Sequence, residues 1–317
     1  MTVISRDPLA GVPFSINKFQ CYNMARRLRE FRPSAEMHPW SSECKESQFF
    51  FKILFVSVCH QINWDFMQDA MADILLPDAH LSLDRISCIS KKDIDAALAG
   101  YPKRDRWRSA ERAKYLRMTA SELKDDYESF LDCVDAGELA GERGFYQHID
   151  RLTVFQEDDL NKKTNVLAHD LFREGVIQFL DPENLRPAVE YHLIRLYLRT
   201  GRVYPTHDEV KRGLLENAKV RRPRLVKVLR QTVSQAMELT SFYSGLDIAT
   251  LNYLEWQIAR NVCDADDPKC HYARLSSMPS DISKIFGKSC LFSEECEALN
   301  NTTYGMFKEP HFQKAIY

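Results

Sequence analysis

The sequence predicts an all-α fold. Three observations carry this. Glycine is scarce, 11 in 317 residues, while the good helix formers Leu, Ala, Glu, Lys and Arg are plentiful. Apolar residues recur at three- and four-residue spacing over long stretches. Those stretches stop at breakers such as Pro33, Pro77-Asp78 and Gly201.

Taken in order, residues 15–32 place Phe19, Tyr22, Met24, Leu28 and Phe31 on a helix that Pro33 ends. Residues 34–47 are polar and read as a loop. Residues 48–76 form a strongly apolar helical region, interrupted around Asn63-Trp64-Asp65. Residues 91–99 and 107–135 are helical, the latter on Trp107, Ala110, Ala113, Leu116, Leu123, Tyr127, Phe130 and Leu131. Gly137, Gly141 and Gly144 mark a loop over 136–145, and a short helix follows over 145–155. A polar connection leads to a helix from Lys162 to Arg173, with Asn161 as its N-cap. Asp181-Pro182 starts a turn, and the next helix runs from about Pro187 to Thr200. Thr206 and Glu209 form a capping-box pattern ahead of another helix. Two more helices cover 223–240 and 246–262, and the tail carries cysteines.

A net charge of -2 excludes a generally basic nucleic-acid coat and leaves room for a local one. Residues 211–230 supply it: Lys211, Arg212, Lys219, Arg221, Arg222, Arg224, Lys227 and Arg230 stand against one acid, Glu216. This stretch suits phosphate contact, or is simply a solvated face. The longest apolar run, Phe49 to Cys59, is broken by Lys52 and too short for a bilayer. Residues 1–14 do not read as a signal peptide, being interrupted by Pro8 and Pro13. A soluble monomer of the cytoplasm, nucleus or nucleoid is expected, with no membrane partner. Of nine cysteines, Cys21, Cys44, Cys59, Cys88 and Cys133 are scattered on helical segments and read as buried thiols. The remaining four come late in paired spacings, Cys263 with Cys270 and Cys290 with Cys296.

Four features together resemble the helix-hairpin-helix superfamily of base-excision DNA glycosylases, the endonuclease III type. The apolar helix ending in Ser57-Val58-Cys59-His60-Gln61 is one, and Arg112-Ala113-Lys114-Tyr115-Leu116 is another. A lysine helix starting at Lys162-Lys163 precedes a carboxylate helix starting near Glu190, in the family's order. The cysteine spacings Cys263-x6-Cys270 and Cys290-x5-Cys296 match the outer pairs of the family's iron–sulfur loop, here with 19 residues between the middle pair. The resemblance spans about residues 48–297. It departs at the hairpin, where Phe155-Gln156-Glu157-Asp158-Asp159-Leu160 lacks both glycines that let a DNA phosphate approach. Queuosine-salvage proteins and archaeal oxoguanine glycosylases are similar in this respect.

The resemblance implies two helical lobes with a cleft between them: an N-terminal extension (1–47), a first lobe (48–160), a second lobe (161–262) and a cysteine-bearing tail (263–317). It implies an N-glycosidase acting on a modified base in DNA, with abasic-site lyase activity if Lys163 forms a Schiff base. Glu190 would be the carboxylate that stabilises the oxocarbenium-like state, or a charge favoured at a helix start. Asp181 competes with it, or organises a turn. Lys163, with Lys162 beside it, is a nucleophile or a solvated lysine. Gln61, Asn63, Trp64 and His192 would contact the base, the first three otherwise forming a kink with a buried ring. Arg195 reads as structural. Arg221, Arg222, Arg224 and Lys227 would meet the DNA backbone. Cys263, Cys270, Cys290 and Cys296 would hold a structural 4Fe-4S cluster, with zinc or free thiols as alternatives. A nucleoside or nucleotide N-glycosidase of the queuosine-salvage type and a non-catalytic nucleic-acid-binding protein are the competing functions.

Overall fold

A computed structural model describes residues 12–29, 31, 44–77, 80–156, 158, 160–216, 223–271, 278, 280–283 and 289–308. Helix accounts for 63% of it and strand for 2%, so the fold is all-α. The chain opens with a short strand β1 (Phe14–Ile16) and helix α1 (Lys18–Leu28). There follow α2 (Lys45–Val58), α3 (Trp64–Leu75), α4 (Leu83–Ile86), α5 (Lys91–Ala97), α6 (Ser109–Asp125), α7 (Tyr127–Ala136), α8 (Phe145–Ile149) and α9 (Lys162–Arg173). After these come α10 (Tyr191–Arg199), strand β2 (Val203–Pro205), α11 (Asp208–Leu215), α12 (Pro223–Ser244) and α13 (Ile248–Asn261). Three single-turn helices close the chain: α14 (Ser280–Ser283), α15 (Glu297–Asn300) and α16 (Thr302–Gly305). Among the described residues no helix is long and apolar enough to cross a membrane.

Two compact units result. One combines the described residues of Met1–Ser34 with those of Arg186–Lys314, and the other holds those of Ala35–Leu185. The division therefore falls at 185/186 rather than at 160/161, because α9 packs against α2. The first 47 residues are likewise no single extension, since α1 packs along α12. Strands β1 and β2 pair antiparallel with Phe14 opposite Pro205. Three-residue strands leave no alternation to read, and the sequence did not announce them.

In the discontinuous unit, α10 is the centre, packed on α12, α13 and β2. Its interior side chains include Leu193, Ile194, Leu196, Tyr197 and Leu198, all buried. Arg202 and Glu255 form a fully buried ion pair, and the Tyr197 hydroxyl donates to Glu255 at 2.6 Å. The Arg202 guanidinium lies 3.5 Å from the centre of the Tyr197 ring. In a low-dielectric core the attraction between the two charges and the bonds with Thr200 and Tyr197 offset the cost of removing them from water.

In the other unit, α2 is central, between α3, α6 and α9. Every residue from Phe49 to Val58 is buried, Lys52 included. The Lys52 ammonium donates to Glu174 at 2.6 Å, to Gln68 at 3.2 Å and to Asp170 at 3.3 Å, so α2 is tied to α3 and α9 by one cation. Burial pushes the Glu174 carboxyl up to about 7, against the pull of Lys52.

Several local expectations are corrected. The break in the apolar region covers 59–63, with Asn63 capping α3 through a bond from the Phe66 amide. The helix expected over 107–135 divides at Asp126, without a glycine or proline to mark it. Asn161 adopts φ of +49° and does not cap α9 with its side chain, which donates to Asp150 instead. His207, not Thr206, holds the cap position of α11, and the Thr206 hydroxyl donates to the Val12 carbonyl. Cys44 and Cys88 are exposed rather than buried, and the loop expected over 34–47 lies largely outside the described residues.

Candidate functional site

Three clusters hold the predicted residues. Lys163 belongs to the unit built on α2, and Glu190 to the unit built on α10. Glu190 is the N-cap of α10, where its carboxylate accepts the His192 amide at 2.9 Å. It is only 7% exposed. His192 turns its Nδ1 to the Arg195 guanidinium at 2.9 Å, and its ring lies 4.0 Å from that of Tyr191. Arg195 also donates to the carbonyls of Cys263 and Ala259, which fits the structural role expected of it. Arg230, fully interior on α12, donates to the Val189 carbonyl beside Glu190.

The second cluster gathers around the turn after α2. Arg112, buried, donates to the carbonyls of Val58, His60, Trp107 and Arg106. It thereby holds the turn on which Gln61 is exposed with φ of +61°. A glutamine in the left-handed region is uncommon, and such strain concentrates at functional positions. His60 is buried with Nε2 3.1 Å from Glu111. Burial, with Arg112 and Lys163 nearby, pushes its pKa down to about 2, so the ring is neutral at any working pH. Trp64, half-buried, packs edge-on against Phe55, 4.6 Å between centres. Lys163 donates to the carbonyls of Val154 at 3.2 Å and Ser57 at 3.4 Å, with its ammonium 5.2 Å from the Tyr115 ring. Carbonyls, a ring face and the C-terminus of α2 all stabilise an ammonium. A nucleophilic amine needs the opposite environment.

The connection preceding α9 carries a carboxylate that meets the start of that helix. Glu157 and Asp159 lie outside the described residues, but Asp158 is buried and turns its carboxylate onto the start of α9. It accepts the Lys162 amide at 3.0 Å and the Leu160 amide at 3.3 Å. These are the donors a DNA phosphate would take in a glycine-rich hairpin. Here the chain supplies its own anion.

Asp181 is a turn organiser. Its carboxylate accepts from the amides of Leu139 (2.6 Å) and Ala140 (3.1 Å) and from the Asn184 side chain (2.8 Å). Burial alone would raise its pKa, but these donors outweigh it and hold the carboxyl below the usual carboxylate range. Of the basic residues, Arg224 and Lys227 are exposed on α12, while Arg221 and Arg222 lie outside the described residues.

The third cluster is that of the late cysteines, all four free thiols. Two of them touch Arg199, whose guanidinium donates to Cys263 Sγ at 3.7 Å and whose carbonyl accepts from Cys296 Sγ at 3.8 Å. The Cys290 amide donates to the Cys270 carbonyl at 2.7 Å. Burial raises the thiol of Cys296 to about 12 and that of Cys290 further, and each is pushed up again by its cysteine neighbours. Among the described residues no three His, Cys, Asp or Glu side chains are drawn together as metal ligands. Sequence reasoning missed Arg199 and Arg202, since an arginine reads as exposed.

A cavity of about 310 Å³ lies elsewhere, lined by Glu46, Phe50, His80, Asp84, Lys124 and Tyr127 among others, and by none of the predicted site residues. Searched against protein-family models and against curated protein sequences, the chain matches none.

The role of Asp158 is testable. Asp158→Ala removes the acceptor of the Lys162 and Leu160 amides and should lower unfolding free energy by about 1 kcal/mol in urea denaturation. Unchanged stability would contradict this role for Asp158.

Proposed function

We propose that the protein is a monofunctional N-glycosidase that releases a modified base from DNA, with Glu190 as its catalytic carboxylate. One observation carries the reading. Helix caps favour Ser, Thr, Asn and Asp, whose short side chains reach the first amides, and Glu is not among them. Yet Glu190 holds this cap, buried to 7% exposure. A position that breaks a local rule inside a packed unit is where function is expected. Base release develops positive charge on the sugar, which an ionised carboxylate stabilises while orienting water. The water oxygen bonds to the anomeric carbon, its proton leaves with the base, and the C–N bond breaks.

The carbonyls around Lys163 support hydrolysis rather than addition of a lysine to the sugar. Exposed Arg224 and Lys227, on the same unit as Glu190, suit phosphate contact. A second reading is favoured by Asp158: a free modified nucleoside or nucleotide would not need the phosphate site that this carboxylate fills.

For the tail we propose a structural iron–sulfur cluster on Cys263, Cys270, Cys290 and Cys296, with zinc as the alternative occupant of the same thiolates. Its contribution would be to fix the tail against α10 rather than to react.

Wild-type protein should release base from at least one duplex in a modified-base panel, read by chromatography. Release only from free nucleotides would move the reading to the second substrate, and release from neither would refute it. Glu190→Gln should lower the rate by about 100-fold or more. Lys163→Ala should keep most of it, and borohydride should trap no adduct with abasic DNA; a trapped adduct would make the enzyme a lyase. Anaerobically purified protein should carry iron by elemental analysis and a visible absorption band. Zinc in place of iron, or neither metal, would overturn the cluster.

A further inference from the structure

Residues 185–190 form neither helix nor strand, yet Ala188, Val189 and Glu190 are buried. Irregular backbone enters a core only where its polar groups find partners. Two side chains from separate helices supply them here. On α13, buried Asn252 accepts the Ala188 amide on its Oδ1 at 2.9 Å. On α12, buried Arg230 donates to the Val189 carbonyl at 3.3 Å. Both helices pack against α10 and against each other, so the two side chains belong to one packed frame.

These bonds fall on the backbone immediately before Glu190. The Val189 carbonyl is part of the planar peptide that joins Val189 to Glu190. Holding that oxygen sets the plane from which Glu190 departs. The bond to the Ala188 amide fixes the chain two peptides upstream. On the other side, the Glu190 carbonyl accepts the Ile194 amide at 3.0 Å and its carboxylate accepts the His192 amide. Glu190 is therefore held from both directions: by α10 after it, and by Asn252 and Arg230 before it. Apolar side chains of similar volume would fill the same space without the cost of burying an amide and a guanidinium. What the polar pair adds is a fixed direction for the backbone that carries the carboxylate. Direction matters for a carboxylate that works on a sugar, because a displacement of about 1 Å lowers such a rate by about 100-fold.

We propose that Asn252 and Arg230 are positioning residues, which aim Glu190 at the reacting sugar by fixing the peptides that lead into it. The inference rests on Glu190 acting on the sugar and assigns the residues that hold it there.

The test is a double-mutant cycle on base release by the full chain, assayed well below the thermal midpoint of each variant. Asn252→Leu fills a similar volume and accepts no hydrogen bond. It should lower kcat by about tenfold or more and leave KM within about twofold. Asn252→Asp keeps an oxygen for the Ala188 amide and should stay within about threefold of the wild-type rate. In a Glu190→Gln background, Asn252→Leu should slow release by less than about twofold more, because a residue acting through Glu190 then has nothing to aim. Arg230→Met should show the same pattern and supplies an independent cycle. Hydrogen exchange read by mass spectrometry should be faster in Asn252→Leu over residues 186–192. Three results would overturn the proposal and leave Glu190 in its role: unchanged exchange, a wild-type kcat in Asn252→Leu when Glu190→Gln is slow, or losses that multiply in the double variant. A Glu190→Gln protein with the wild-type rate would instead remove the reading on which the proposal rests, and the proposal with it.

Discussion

The unit built on α10 depends on the way Arg199 holds the C-terminal segment. This buried guanidinium donates to the carbonyls of Asp264, Ala265 and Phe307, close to the two ends of the segment that carries the late cysteines. Arg195, one turn earlier, takes the carbonyls of Ala259 and Cys263. Backbone carbonyls in irregular segments cannot be buried without donors, and two arginines on one helix face supply them. The tail can therefore pack without regular structure, with Phe292 and Phe307 in the core. Gln20 adds a bond from α1 to the carbonyls of Thr200 and Glu295. The same arrangement brings the thiols of Cys263 and Cys296 against Arg199.

The same physics acts at two helix starts with different meanings. At α9 the anion is Asp158, a residue type that caps well, and it accepts the Lys162 and Leu160 amides. At α10 the anion is Glu190, a residue type that caps poorly. The first needs no function to account for it. The second does, and the proposed chemistry rests on that contrast. Arg112 supplies a parallel case among the cations: it satisfies the carbonyls of the turn at Val58 and His60 and so keeps Gln61 in a backbone conformation it would otherwise leave.

Much of the local structure was legible. The α9 helix was read from Lys162 to Arg173 because its apolar spacing is regular and a polar run precedes it. Glu190 was placed at a helix start, and Asp181 was weighed as a turn residue, which its three hydrogen bonds make it. What failed was non-local. The pairing of α1 with α12 and of β1 with β2 joins residues roughly two hundred positions apart, and no window of sequence carries that information. The same holds for Lys163, whose carbonyl partners Ser57 and Val154 come from separate elements. Interior arginines were equally hidden, because their burial depends on carbonyls contributed by distant segments.

Glu190 can be separated from its capping role by one substitution. Serine is a preferred cap and carries no carboxylate, so Glu190→Ser should leave unfolding free energy within about 0.5 kcal/mol of the wild type. If Glu190 acts on the sugar, the same variant should release base at least about 100-fold more slowly under identical conditions. A Glu190→Ser protein that folds normally and still releases base at the wild-type rate would reduce Glu190 to a helix cap and remove the basis of the functional account.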